Sequence, residues 1–151
     1  MQMFSEKFKM CGICLRIFNV YGKGQNEQYA GVISKFIKNI SKNKPIIING
    51  DGTQTRDFVS ISDVVNSFHH AIKIEMSATY NIASGKETSI NELVKKLITI
   101  NGKKIKIKFV DNKNEEIKNS LADISLAQKE LGFEPKIELE KGLVDLISIS
   151  N

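Results

Sequence analysis

Tryptophan is absent from the 151-residue chain, and cysteine, proline and arginine occur only twice each. Two cysteines are too few for a disulfide scaffold. Two prolines in a chain that is 41% hydrophobic and 26% charged exclude a disordered tail or a repeat array and fit one compact domain. No apolar run approaches the roughly 18 to 20 residues of a membrane-spanning helix, and the longest, Pro45-Ile46-Ile47-Ile48, is strand-sized. The first ten residues alternate polar and apolar side chains and lack the apolar core of a secretion signal. The expectation is a cytoplasmic protein with no membrane partner.

Cations are plentiful, giving a net charge of +5 and a pI near 9.1. Twenty of the 22 are lysines. The densest group, Lys103, Lys104, Lys106 and Lys108, alternates with Ile105, Ile107 and Phe109, the two-residue period of a half-buried strand with a solvated lysine face. Lysine also guards exposed sheet edges. A nucleic-acid surface adds arginines and stacking aromatics, which are missing here, so a nucleic-acid partner is not expected.

Along the chain, helical and extended patterns alternate. The first ten residues read as the end of a helix, with Met1, Phe4 and Phe8 on one side. A strand from Ile13 to Asn19 is followed by a turn-rich stretch around Gly22-Lys23-Gly24. Val32, Ile33, Phe36, Ile37 and Ile40 have helical period within 28–42. Ile46 to Ile48 and Asp57 to Val59 are short extended pieces flanking the loop 50–55. Ser62 or Asp63 is expected to cap a helix through Ile72, and Tyr80 to Ala83 reads as a buried strand. Ser89-Ile90-Asn91-Glu92 fits a capping box opening the next helix. Asp123 is expected to cap a short helix that ends at Gly132, and a last helix carries Leu139, Leu143, Leu146 and Ile147. The fold class is therefore α/β. Only two strands read as central, and two do not make a sheet able to stand alone.

Cys11 and Cys14 form a C-x-x-C, but between a helix and a strand, whereas a redox pair needs its first cysteine at a helix N-terminus. Zinc needs two more ligands, and the only histidines, His69 and His70, point about 100° apart on a helix. Both cysteines are read as structural, and no metal is expected. The arginines stand out because the chain otherwise chooses lysine. Arginine's planar donor fork suits carboxylate or phosphate. Arg16, inside a strand, is read as a structural ion pair. For Arg56 two readings stay open: a pair with Asp57, or a ligand phosphate.

Four segments, in order, carry a resemblance: Leu15–Gly22 (LRIFNVYG), Gly50–Val59 (GDGTQTRDFV), Tyr80–Gly85 (YNIASG) and Leu121–Ile124 (LADI). They resemble the nucleotide-sugar epimerases and dehydratases, the extended short-chain dehydrogenases, UDP-glucose 4-epimerase being the general type. The resemblance runs from about Met3 to Leu146. It is to the second, substrate-binding half of such enzymes. The implied domain organisation is a single substrate-binding fragment, 1–151, in which 1–22 and 78–85 extend the sheet of a Rossmann half that the chain lacks.

That first half carries a G-x-x-G-x-x-G turn for NAD pyrophosphate and a Y-x-x-x-K base pair. No three of the ten glycines here have that spacing, and Tyr21, Tyr29 and Tyr80 are followed four residues on by Gln25, Ile33 and Ser84. Hence no catalytic residue is expected, and NAD, the cofactor of the complete enzyme, is not expected to stay on this chain alone. The partners implied are a nucleotide-sugar and either a Rossmann-half chain or a second copy.

The resemblance implies a site. Asn19 contacts the sugar diphosphate, with Ile17, Phe18 and Val20 near the nicotinamide. Gly31 and Val32 flank the nucleotide, Ile48 and Asn49 border its base, and Arg56 holds the diphosphate. Lys113 and Glu116 stand where the family has an arginine for phosphate and an acid for ribose hydroxyls. The chain departs from the pattern in three places. Asn49 replaces an aromatic that stacks on a base, Lys113 lacks the guanidinium fork, and Glu115 adds an acid beside Glu116. These departures favour the alternative expectation of a non-enzymatic nucleotide-sugar binder or a degenerate remnant.

Overall fold

The computed structural model describes residues 7–25, 31–111 and 117–150. The predicted N-terminal helix lies mostly outside them, as do Lys113 and Glu116. In chain order the elements are β1 (Ile13–Ile17), β2 (Asn19–Tyr21), α1 (Val32–Ser41), β3 (Ile46–Asn49), β4 (Thr55–Ser60), α2 (Ile61–Ala71), β5 (Ala78–Ile82), β6 (Glu87–Ser89), α3 (Ile90–Asn101) and β7 (Ile107–Val110). A π-helical turn (Ala127–Leu131) and α4 (Leu139–Ser150) complete the chain. Among the described residues, no helix is long and apolar enough to cross a membrane.

The strand expected from Ile13 to Asn19 divides at Phe18. β1 pairs in parallel with β5, Ile13 opposite Ala78 and Ile17 opposite Ile82, and the Phe18 N–H still reaches the Ile82 carbonyl at 3.0 Å. From Asn19 the chain changes partner, and β2 runs parallel to β4, Asn19 opposite Phe58. The Phe18 side chain packs on Ala83, Ala122 and Ile124 at this crossing. β4 is shared: its last residues pair with β2, and its first, Thr55 to Asp57, pair antiparallel with β6.

The helices follow their apolar stripes. Ile33, Phe36, Ile37 and Ile40 of α1 and Leu93, Val94 and Leu97 of α3 pack with Ile46 and Ile48 of β3 and with Leu143 and Ile147 of α4 into the larger core. A second core joins Tyr80 and Ile82 of β5 to Val64 of α2, Leu131 and Phe133.

The capping box is present, with the Glu92 N–H donating to Ser89 Oγ at 3.2 Å and the Ser89 N–H donating to Glu92 Oε2 at 2.9 Å. The Ser89 backbone and side-chain donors hold the Glu92 carboxyl below the usual range. Ser89→Ala is expected to cost about 1 kcal/mol, the usual worth of such a cap, read as a shift in denaturant midpoint without a change in slope.

Two local expectations are corrected. The cap of α2 is Ser60, whose Oγ accepts from the Ser62 N–H at 3.0 Å. Asp63 instead turns inward, buried, and accepts from the N–H groups of Lys136 and Ile137 at 3.0 and 3.1 Å, so it tethers the approach to α4. The lysine-edged strand is not half-buried. β7 is exposed at all four residues because β3 is its sole partner among the described residues and no layer covers it.

Candidate functional site

The four motif segments meet at Asp57. Strand alternation sends Arg56 and Asp57 to opposite faces of β4. Asp57 is 0% exposed, and its carboxylate accepts from the Ser84 N–H (2.8 Å), the Ser84 hydroxyl (2.6 Å), the Gly85 N–H (3.0 Å) and the Ala122 N–H (3.3 Å). Its backbone carbonyl accepts from Asn19 Nδ2 at 3.4 Å. One buried acid thus ties together the segments holding Asn19, Ser84 and Ala122. The Arg56–Asp57 pair weighed from sequence is not what forms.

Arg56 instead directs Nη1 to the carbonyls of Thr55 and Ile117, both at 2.7 Å. The second contact anchors the segment after 112–116, as does the Thr55 N–H on the Lys118 carbonyl at 2.8 Å. The loop before Arg56 is shaped by Gly52, whose φ of 76° is left-handed and where any Cβ would run into the Asn91 side chain. Asn91 in turn donates to the Asp51 carbonyl at 3.0 Å, pinning this loop to the start of α3. The Asp51 carboxyl accepts the Thr53 hydroxyl and N–H, which hold it below the usual range.

Two adjoining clefts open beside β4. One, about 170 Å³, is lined by Asn19, Val32, Phe36, Ile48, Asn49, Gln54, Arg56 and Ile90. The other, about 210 Å³, is lined by Asn19, Val20, Tyr21, Gln25, Gly31, Val32, Ile33 and Phe58. They share Asn19 and Val32. Six residues singled out from sequence for a nucleotide-sugar (Asn19, Gly31, Val32, Ile48, Asn49 and Arg56) therefore line one continuous region, with Val20 among them. Ile17 and Phe18 line neither cleft. Arg16 forms no ion pair among the described residues, contrary to expectation, because β1 leaves it exposed.

Sequence reasoning missed Gln25 and Gln54. Gln54 Nε2 donates to the Asn49 carbonyl at 2.8 Å, bracing the rim of the first cleft. Gln25 Nε2 donates to the Val20 carbonyl at 2.9 Å and its Oε1 accepts from Ser34 Oγ at 2.6 Å, closing the second. Nothing in the local pattern marked either, since both gain their role from partners brought in by the fold.

A larger cavity lies elsewhere. It measures about 430 Å³ and runs between the 84–88 loop and the start of α4. Its lysines pair with Glu138 (Lys86, 2.8 Å) and Glu140 (Lys96, 3.0 Å). Size alone does not choose the site; the residues singled out from sequence line the smaller pair of clefts.

Chemically those clefts offer an apolar floor, four side-chain amides and a guanidinium, a set suited to a polar ligand with an anionic part. They hold no nucleophile–base pair. Tyr21 and Tyr80 both keep their protons more tightly than a free phenol, chiefly through burial, and Tyr21 is pushed up to about 12. Among the described residues, no cluster of three or more His, Cys, Asp or Glu side chains is placed to hold a metal. A dinucleotide does not fit these residues either, since no turn carries the glycine spacing its pyrophosphate needs.

The fold defines an extended short-chain dehydrogenase element, and comparison with known proteins makes the assignment. The family model described as GDP-mannose 4,6 dehydratase matches residues 1–146. The chain belongs to this family of NAD-dependent epimerases and dehydratases. It is 38% identical over 130 residues to a UDP-glucuronate 4-epimerase of Thermodesulfobacterium geofontis, covering 85% of this chain and 40% of that protein. Among solved structures it is similar to the UDP-glucose 4-epimerase of Thermotoga maritima crystallised with UDP-glucose (TM-score 0.90, 31% identity, 97% of this chain and 48% of that one). It is also similar to the UDP-glucuronic acid 4-epimerase of Bacillus cereus in complex with UDP-glucuronic acid and NAD (TM-score 0.88, 31% identity, 99% and 49%). The chain spans about half the length of these relatives.

Proposed function

We propose that these residues are the nucleotide-sugar-binding portion of an NAD-dependent epimerase or dehydratase acting on a UDP- or dTDP-sugar. The observation that carries the reading is the convergence of Asn19, Gly31, Val32, Ile48, Asn49 and Arg56 on two clefts that share Asn19 and Val32. In this reading Arg56 and Asn19 take the diphosphate, Ile48 and Asn49 border the base, and Gly31 and Val32 flank the nucleotide. Lys113 and Glu116 are assigned to phosphate and ribose by resemblance alone. When bound to the complete enzyme, NAD supplies hydride acceptance and return at the sugar carbon. This chain's residues supply binding energy and orientation.

The same reading assigns 1–22 and 78–85 to the boundary with a Rossmann half. Its support is the parallel pairing of β1 with β5, since parallel strands are normally buried within larger sheets covered on both faces. The apolar side chains Phe8, Met10 and Ile17 stand exposed beside that pair. The 151-residue chain is expected to self-associate, or to gain solubility with a Rossmann-half chain.

Calorimetry with UDP tests the binding assignment. UDP is expected to bind weakly, and Arg56→Ala to lose about 1.5 to 3 kcal/mol of affinity, the worth of charge-assisted hydrogen bonds. Equal affinity of the two proteins overturns the assignment of Arg56. The isolated chain is expected to show no turnover of UDP-glucose, and measurable turnover would sink the proposed division of labour. A second reading, a nucleotide-sugar binder without catalysis, is favoured by Asn49, whose amide cannot stack on a base. Failure to gain turnover on adding a Rossmann half would select it.

A further inference from the structure

β7 is hydrogen-bonded on one edge. The Ile46 N–H donates to the Lys106 carbonyl at 2.9 Å and the Gly50 N–H to the Val110 carbonyl at 2.8 Å. Backbone groups alternate from edge to edge along a strand, so the N–H and C=O groups of Ile107 and Phe109 face the other edge, which pairs with no strand among the described residues. Such an edge is a template for one more strand.

The surroundings restrict what that strand is. Segments 39–50 and 99–110 carry Lys42, Lys44, Lys103, Lys104, Lys106 and Lys108 and not one aspartate or glutamate. All six lysines are exposed, and together they exceed the net charge of the whole chain. Set among them are Ile47 (50% exposed), Ile107 (41%), Phe109 (58%) and Val110 (42%). An edge guard for solubility needs the lysines but not the uncovered apolar side chains.

We propose that the β7 edge docks an acidic, extended segment of a partner polypeptide, which adds to the sheet as a third strand. Its backbone pairs with Ile107 and Phe109, its alternate apolar side chains cover Ile107 and Phe109 on one face, and its carboxylates meet Lys106 and Lys108 on the other. Other occupants meet physical objections. A second copy of this chain brings the same six positive charges, and like charges facing each other oppose docking. A lipid headgroup supplies anions but leaves the open N–H and C=O groups unpaired, which an apolar phase penalises. A nucleic-acid backbone offers phosphate acceptors where this edge presents donors and acceptors in equal number, and the patch has one aromatic and no arginine.

The test is fluorescence anisotropy with a labelled peptide of alternating glutamate and valine, titrated with the full 151-residue chain at low and high salt. The same peptide with lysine for glutamate, phosphatidylserine vesicles and a short RNA are the competitors. Saturable binding of the glutamate peptide is expected, about tenfold weaker at high salt and about tenfold weaker again for the Lys106→Glu/Lys108→Glu variant. Phe109→Pro removes an outward N–H and leaves the bonds to β3 in place, so it is expected to weaken binding similarly. Slowed amide exchange at Ile107 and Phe109 on adding the peptide gives a readout independent of either variant, should one fail to fold. No saturable binding, equal binding of the lysine peptide, tighter binding of vesicles or RNA, or unchanged exchange at both amides overturns the proposal.

Discussion

Asp57→Ala is expected to cost this chain about 2 to 5 kcal/mol of stability. The substitution leaves the Ser84 N–H and hydroxyl and the Gly85 and Ala122 N–H groups without their acceptor, in a place where Asp57 itself is wholly buried. A buried donor left unsatisfied costs about 1 to 3 kcal/mol. That applies in full to Ala122 and in part to the half-buried Ser84, whereas Gly85 is exposed and water can take up its N–H. The effect also spreads through the chain, because the carboxylate joins residues 27 and 65 positions away. Asp57→Asn keeps the shape and one acceptor oxygen but turns an NH2 toward backbone donors, so an intermediate loss is expected. Circular dichroism in a urea titration decides it. A midpoint for Asp57→Ala matching that of the wild type would remove Asp57 from its place as the junction of the four motifs.

The second large effect concerns Tyr21 and Gly142. A glycine within a helix usually gains up to about 1 kcal/mol on conversion to alanine. At Gly142, early in α4, the added methyl would run into the Tyr21 hydroxyl, and the sign reverses. Overpacking of this kind costs about 1 to 3 kcal/mol. The Tyr21 side chain is 3% exposed, and its hydroxyl has no hydrogen-bond partner among the described residues. Tyr21→Phe alone is therefore expected to be neutral or stabilising. Tyr21→Phe in the Gly142→Ala background is expected to restore only part of the loss, because the ring carbons Cε2 and Cζ still lie 2.8 and 2.9 Å from the added methyl, and the double-mutant cycle should be non-additive. Additive changes would mean that the two groups do not meet.

Alkaline pH gives a second readout of the same residue. Burial, reinforced by the carboxylates of Asp63, Asp145 and Glu138, pushes the Tyr21 phenol up to about 12, against 10.0 for the free group. The folded state thus favours the protonated form. That contribution is complete below pH 10 and is lost as pH rises toward about 12. The wild type should lose stability in this window faster than Tyr21→Phe, measured as the difference between their urea midpoints at successive pH values.

Much of the architecture was legible because its signals are local. The Ser89–Glu92 capping box is complete within four residues, and the stripes of α1 and α3 follow from a 3.6-residue period. The candidate site residues came by another route: Asn19 and Arg56 stand within the ordered motifs, and Gly31, Val32, Ile48 and Asn49 were placed by the resemblance. Lys113 and Glu116 fall outside the described residues. The misreadings share a cause. Alternation of lysine with isoleucine announced a strand at 103–109 but carried no information on what covers its faces, and β7 is covered on neither. Ser62 and Asp63 are both good capping residues, yet Ser60 caps α2 because Asp63 finds the Lys136 and Ile137 amides. Asp57 was weighed only as a neighbour of Arg56, although a strand's period of two already separates adjacent side chains.

By itself the sequence determined what depends on a few neighbouring residues: the α/β alternation, the caps, the turns at glycine and the motif spacing that points to the family. Those preferences arise from backbone sterics and short-range hydrogen bonds, which act within a turn or two of chain. Only the tertiary structure decided which strands became neighbours, that the Asp57 carboxylate gathers two distant segments while its carbonyl holds Asn19, and that Gln25 and Gln54 close the clefts around Asn19. These choices depend on how segments tens of residues apart exclude water from a shared core. That free energy belongs to the closed chain and is written in no single stretch of it.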